Sequence, residues 1–176
     1  MITYDFTLKF AVPYDLAMEV LETRLFESGC DDALLGLGQK GRLALELTRE
    51  AASAHEAITS AMADVKRAIP EARLIEVGPD LVGVTDIAEL FAFSRQNMRK
   101  LLQSHIATFP LPLHEGRASS LWHLAEVLEW FQTHQRRSVD ETLREVARIS
   151  MQANVAREAS RLPEEQIRRF DHGLAS

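Results

Sequence analysis

Apolar and polar side chains alternate without interruption at the start of the chain. Ile2, Tyr4, Phe6, Leu8, Phe10 and Val12 fall on one side, and Thr3, Asp5, Thr7, Lys9 and Ala11 on the other. A period of two predicts a strand with one buried face, and Pro13 ends it. Over residues 14–28 the period changes. Tyr14, Met18, Leu21 and Leu25 recur at spacings of four, three and four, which predicts a helix with Gly29 as its stop. Two short apolar runs follow, ALLGL at 33–37 and RLALELT at 42–48, with GQKG between them. They predict a hairpin. Ser53-Ala54-His55-Glu56 has the spacing of a capping box. It opens a helix whose apolar face is Ala54, Ala57, Ile58, Ala61, Val65 and Ala68. Pro70 closes that helix, and ARLIEV at 72–77 predicts a last strand.

The order strand, helix, strand, strand, helix, strand predicts an α+β fold. Over residues 1–78 it is that of a ferredoxin-like βαββαβ sandwich, an antiparallel sheet with its two helices on one face. A fold of this kind leaves its role open between sensing a small molecule, holding a protein partner and dimerising. Gly78-Pro79-Asp80 marks a boundary, and beyond it the chain turns mostly helical. A compact unit is expected over 81–134. Ser138-Val139-Asp140-Glu141 is a further capping box. It starts a helix expected to run through 138–162, and the polar tail at 163–176 is expected to fray. The long helix carries Val139, Thr142, Val146, Ile149, Ala153 and Ala156 at alternating spacings of three and four. Such a stripe serves as a dimer seam or packs back on its own chain, and both readings stay open.

Composition narrows the function classes. With 46% hydrophobic and 26% charged residues, the chain has the make-up of a globular protein. No apolar run approaches the roughly 20 residues that a membrane helix needs. The start ITYDFTLKF lacks the basic stretch and apolar core of a secretory signal. The single Cys30 suits a reducing cytoplasm and reads as a packing residue. A cytoplasmic protein with no membrane partner is expected. The formal net charge of −6 is unevenly placed. Residues 1–80 hold 8 basic and 14 acidic side chains, whereas residues 81–176 hold 12 of each. Within 94–117, Arg95, Arg99, Lys100 and Arg117 stand against Glu115 alone. A locally basic surface on an acidic protein suits phosphate contact at a chosen site, not strong non-specific affinity.

That basic surface lies in the stretch from Thr85 to Trp130. TDIAELFAFSRQNMRKLL predicts two short helices joined by a tight turn. Ile87, Ala88, Leu90, Phe91, Phe93, Met98, Leu101 and Leu102 can pack the two against each other, with the small Ala88 where they cross. Ser94 is a good N-cap for the second helix. Its exposed face then carries Arg95, Gln96 and Asn97, with Arg99 and Lys100 one turn on. Arg bonds guanine edges in bidentate fashion, and Gln and Asn do so with adenine. TFPLPLHEGRASSLWHLAEVLEW predicts a hairpin-like loop ending in Trp122, then a helix. This is the layout of a winged helix-turn-helix, which places one helix in the major groove of DNA.

The same residues resemble a known family. Thr85, Ile87, Ala88, Leu90, Ser94, Arg95 and Leu101, then Phe109, Pro110, Pro112, Gly116, Arg117, Trp122 and Trp130, follow the order and spacing of the AlpA and excisionase type of winged helix-turn-helix, within the broader MerR-like group. Glu126-Val127 stand where that pattern has an acidic–aliphatic pair. The resemblance covers 46 of the 176 residues. Three positions depart from the pattern. Ala92 occupies a turn position that is commonly Gly, where a left-handed backbone costs about 1 kcal/mol. Met98 replaces a β-branched residue. The wing, LHEGRASSLW, has one Arg where relatives often have several basic residues, so little is expected of it beyond Arg117. The resemblance implies sequence-specific binding of double-stranded DNA, in roles that range over transcriptional repression or activation, excision and phage-related regulation.

The expected function is therefore a transcriptional regulator of bacterial type that is not an enzyme. Its DNA-binding residues are Ser94, Arg95, Gln96, Asn97, Arg99, Lys100 and Arg117. A homodimer is expected, because one short half-site seldom gives enough specificity, with a small-molecule or protein partner at the N-terminal unit. The alternative is an antitoxin-like or adaptor module whose helical half makes no DNA contact. Gly36-Leu37-Gly38-Gln39-Lys40-Gly41 spells G-x-G-x-x-G, but a nucleotide loop needs a helix after it, and here a strand-like run follows. A glycine hairpin is the expected reading. No G-x-S-x-G or H-E-x-x-H occurs. The histidines lack a tight ligand spacing and one cysteine makes no thiolate cluster, so no metal or cofactor is expected. His105, His114 and His123 fall near the reading unit. Trp122 and Trp130, eight residues apart, serve either base stacking or the core.

Overall fold

The computed structural model describes residues 1–36 and 39–174. Leu37 and Gly38 of the expected glycine hairpin lie outside the described residues, as do Ala175 and Ser176 of the expected tail and the side chain of His172. The fold is α+β with antiparallel sheets. Among the described residues no helix is long and apolar enough to cross a membrane.

The alternating segment forms β1 (Ile2–Ala11). It pairs antiparallel along its whole length with β3 (Arg42–Ala51), Ile2 opposite Ala51 and Ala11 opposite Arg42. β2 (Ala33–Gly36) adds to the far side of β3, and β4 (Arg73–Gly78) to the far side of β1. The sheet thus runs β2-β3-β1-β4. Tyr4, Phe6, Leu8 and Phe10 are buried on one face with Leu43, Leu45 and Leu47 from β3, while Thr3, Asp5 and Lys9 stay in solvent. The strand β3 starts directly after Gly41, so no helix N-terminus follows the glycine run.

Helices α1 (Met18–Glu27) and α2 (Ala54–Ala68) cover the buried face. α1 begins later than its stripe predicts. The Leu16 N–H bonds the Pro13 carbonyl in a turn, which leaves Tyr14 70% and Met18 48% exposed. Only Leu21 and Leu25 of that stripe enter the core. Gly29, at φ +101°, stops α1 as expected. Its N–H bonds the Phe26 carbonyl and the Cys30 N–H bonds the Leu25 carbonyl, the pair of bonds that closes a helix around a left-handed glycine. Cys30 is buried as a packing residue, and burial beside the Asp64 carboxylate pushes its thiol up. At the start of α2 the Ser53 hydroxyl accepts from the Glu56 N–H at 3.1 Å. Arg49 of β3 reaches Asp32 at 2.6 Å and Asp64 at 2.9 Å, and these partners hold its guanidinium above the ordinary arginine value. The cation links β3 to α2 and to the loop before β2.

The chain then forms β5 (Leu81–Val82), α3 (Val84–Leu90), α4 (Arg95–Ser104), β6 (His114–Glu115), β7 (Ser120–His123) and α5 (Leu124–His134). The three short strands make a second sheet in the order β5-β7-β6. Its core gathers Ile87, Ala88, Met98, Val127, Leu128 and Phe131. Phe91 stacks on Phe131 with ring centroids 3.7 Å apart.

The last long helix, α6 (Glu141–Ser160), differs from expectation in two respects. Its N-cap is Asp140, not Ser138. The Asp140 carboxylate accepts from the Thr142 and Leu143 N–H groups at 2.8 and 3.1 Å, and these bonds hold it below the usual carboxylate value. Moreover α6 is a third helix on the face of the first sheet, where two were expected. Val146 is buried there, with Ile149 and Ala153 packed beside it, while the next residue, Ala147, belongs to the second core. Neighbouring residues point about 100° apart on a helix, so one helix serves both cores. Of the stripe in which a dimer seam was weighed, Val146, Ile149 and Ala153 are occupied by the first core and Val139 by the second, while Ala156 is exposed. The tail also departs from expectation. Pro163 ends α6, and α7 (Glu164–Leu174) follows, supported by pairs at i,i+4, Glu164 with Arg168 and Glu165 with Arg169.

Polar side chains fix α6 in place. Glu145 accepts from the Tyr4 hydroxyl and from the Ala54 N–H, both at 2.9 Å. Burial and that carboxylate push the Tyr4 phenol up. Asn154 pairs with both the N–H and the carbonyl of Val77 at 2.8 Å, and Arg157 donates to the Leu74 carbonyl at 2.8 Å. These bonds satisfy the open edge of β4, which would otherwise offer itself to another strand.

The Asp140 cap gives a first test. Replacing Asp140 by Ala lowers stability by about 1 kcal/mol at neutral pH. The native carboxyl titrates below its unfolded value of about 3.9. Its contribution is therefore present above that value and lost as pH falls through the lower, folded one. Urea unfolding of parent and variant should differ at pH 7 and converge in acid.

Candidate nucleic-acid interface

The site is built by two capped helices and one turn. Gly83 precedes α3, and its N–H is held by the Asp86 carboxylate at 2.8 Å. The turn between α3 and α4 requires Ala92 at φ +57°, with the Phe93 N–H bonded to the Ala88 carbonyl at 2.8 Å. Ala92 is thus in the left-handed region, as its position in the sequence suggests. Ala92→Gly is expected to raise stability by about 0.5–1 kcal/mol, after the added freedom of the unfolded chain is discounted; a thermal melt checks the sign.

Ser94 caps α4, its hydroxyl accepting from the Asn97 N–H at 3.1 Å. Met98 is fully buried on the inner side of α4. Arg95, Gln96, Asn97, Arg99 and Lys100 are all exposed on the outer side. Across from them lies the loop joining β6 and β7. Gly116 makes its turn possible, because a Cβ there would stand 2.5 Å from the Ser119 carbonyl oxygen. Arg95, Arg99 and Arg117 line one cleft of about 440 Å³ between α4, the start of α3 and this loop. Asp86 is its one carboxylate, and it is engaged with the Gly83 N–H.

Arg49, Arg67, Arg144, Arg157, Arg161, Arg168 and Arg169 have carboxylate partners within 4.0 Å. Among the described residues, Arg95, Arg99, Lys100 and Arg117 have none. Their charge is not compensated locally and is free to act on an anion. What distinguishes these cations is their clustering on one face, since Lys9, Arg24, Lys40, Arg42, Lys66, Arg73, Arg136, Arg137 and Arg148 also have no carboxylate within 4.0 Å among the described residues.

The aromatic residues lie beneath this face, not on it. Trp122 is 7% and Trp130 3% exposed, so neither offers a ring for base stacking. The Trp122 indole N–H donates to the Pro110 carbonyl at 2.9 Å and pins β7 to the loop before β6. Trp130 meets Phe109, Phe131 and His105 edge-on at centroid distances of 4.9, 5.1 and 5.4 Å. His114 is exposed on β6, but His123 is buried and its Nδ1 stands 2.7 Å from Asp80. His123 is therefore not a surface group beside α4. Spacing along the chain missed Asp80, His123 and Asn154, which bond one another across the join of the two cores. The Gly78-Pro79-Asp80 segment reads from the sequence only as a boundary. In comparisons of this chain with known proteins, no family model, no curated protein and no solved structure matches.

Proposed function

We propose that the chain is a sequence-specific double-stranded DNA-binding protein, a regulator of the AlpA and excisionase type, which lays α4 in the major groove. The observation that carries this reading is the cluster of four exposed cations without ion partners, on α4 and the wing of an otherwise acidic chain. In it, Arg95, Gln96 and Asn97 read base edges. Arg99, Lys100 and Arg117 hold phosphates, and Ser94 sets the helix start. The strand order β2-β3-β1-β4 supports reading residues 1–78 as a ferredoxin-like unit carrying α6 as an added helix. Residues 81–134 are then the winged unit. The protein acts in the cytoplasm as a binder and not as an enzyme.

The homodimer of this proposal needs a surface other than the mostly occupied stripe of α6. Leu162, Phe170 and Leu174 are 55%, 68% and 80% exposed along α7 and the turn before it. An anisotropy titration on genomic fragments at a series of salt concentrations tests the DNA reading. Each phosphate neutralised adds about 0.9 to the slope of log affinity on log salt, so three to four cations give a slope of about −3 per protomer. A flat salt response removes the reading.

A second reading, an antitoxin-like or adaptor module, is favoured by one observation. Ile106 and Leu111, beside the wing, are 81% and 84% exposed, an apolar surface that suits a protein partner. Co-purification of a partner together with absence of DNA retention at low salt would select it.

A further inference from the structure

A second cavity, of about 300 Å³, lies where the two cores meet, and it shares no lining residue with the arginine cleft. Its inner wall is a polar relay. Asp80, 2% exposed, stands with one carboxylate oxygen 2.7 Å from His123 Nδ1, and its other oxygen accepts from the Asn154 amide at 2.8 Å. Both Asp80 oxygens are thus engaged. A carboxylate on Nδ1 fixes a proton there, so whenever the ring is neutral its acceptor is Nε2. His123 is only 9% exposed, and its Nε2 has no hydrogen-bond partner among the described residues.

The charge around the cavity is one-sided. Arg157 is engaged by the Leu74 carbonyl and by Glu158, which also holds Arg161. Glu76 lines the cavity with no ion pair or hydrogen bond among the described residues. Two acceptors of the wall therefore have no protein partner among the described residues, and its arginine is already engaged by Glu158. Around them stand apolar side chains that the fold leaves in solvent: Leu81, Leu113 and Val155 are 38%, 56% and 52% exposed. Apolar walls with a few convergent polar groups are the make-up of a small-molecule site, and the volume falls at the lower end of that range.

We propose that this cavity binds a small protonated amine carried on an apolar or aromatic body. The ammonium donates to Glu76 and His123 Nε2, and the body covers Leu81, Leu113 and Val155. The proposal stands apart from the DNA reading, since it is measured on the protein alone.

Isothermal titration of the full chain with tryptamine, phenethylamine and cyclohexylamine tests it. Indole-3-acetate serves as the probe with the indole ring and the opposite charge. At least one amine is expected to saturate at one site per chain, with indole-3-acetate at least about tenfold weaker. Val155→Arg introduces a cation at a half-exposed position and is expected to abolish binding. Glu76→Gln weakens binding about tenfold and keeps the inference open to refutation should Val155→Arg unfold the chain. Three results overturn the proposal: no amine saturating at millimolar concentration, indole-3-acetate binding as tightly as tryptamine, or amine binding unchanged in Glu76→Gln.

Discussion

Replacing Arg95 and Arg99 together by alanine lowers affinity for a selected DNA fragment by about 1–3 kcal/mol through the lost base contact of Arg95, roughly five- to 150-fold, and further through the lost phosphate contact of Arg99. The fold does not share in that loss. Both side chains are exposed, and neither has an ion partner that its removal would strand. Stability should stay within about 0.5 kcal/mol of the parent. The two readouts separate a contact residue from a structural one. Arg117→Ala is expected to cost less and to act nearly equally on all sequences, since in the proposed reading Arg117 holds a phosphate and reads no base. Fluorescence anisotropy on the parent fragment and on one with its motif scrambled distinguishes these cases. Unaltered affinity in the double variant removes α4 as the reading surface.

Trp130→Ala is expected to cost about 3–5 kcal/mol of stability, the range for truncating a large core aromatic. The ring is 3% exposed and is enclosed by Phe109, Phe131 and His105, with His134 stacked on it at 5.6 Å. Its N–H donates to Thr108 at 3.2 Å. Truncation leaves a void where the C-terminal end of α4, the loop after it and α5 come together. Trp130→Phe restores most of the apolar contact and none of the hydrogen bond, so it should recover the larger part of the loss. DNA affinity should fall with stability in Trp130→Ala, since α4 loses its backing. Urea midpoints for the three proteins decide this. A change below about 1 kcal/mol contradicts the role assigned to Trp130, because buried aromatics carry more than that.

Local periodicity served well where a side chain's partner lies within its own element or its neighbour. β1 alternates through ten residues and is found over Ile2–Ala11. Ser53, Ser94 and Gly29 act within three or four residues of themselves, and each stands where its type suggests. Periodicity failed where the partner is remote. Tyr14 and Met18 share the spacing of Leu21 and Leu25, but Tyr14 precedes the helix and Met18 is its half-exposed first residue, because nothing in spacing alone fixes a start. Glu145 bonds Tyr4 at a separation of 141 residues, and Asn154 bonds Val77 at 77. On a helical wheel both look like ordinary solvated residues. Tertiary contact converts them into the fastening of α6, and the same remoteness hid the Asp80–His123–Asn154 relay. The tail misled for the opposite reason. Its polar composition suggested fraying, yet its charges fall at i,i+4 and support α7. Within the candidate interface, all seven residues named from the sequence are on α4, at its cap or in the wing. Their contact with DNA is the part that pattern cannot supply.

Selection from a random duplex library by the full chain at moderate salt, followed by footprinting of the winners, tests DNA reading most directly. The expected result is one enriched motif, protected through the major groove, present as two half-sites about one helical turn or a multiple apart if the protein pairs as proposed. In Arg95→Ala/Arg99→Ala the motif should vanish while weak, salt-sensitive retention persists through Lys100 and Arg117. Contradiction would be a pool that remains random, with the same retention for parent and double variant at every salt concentration.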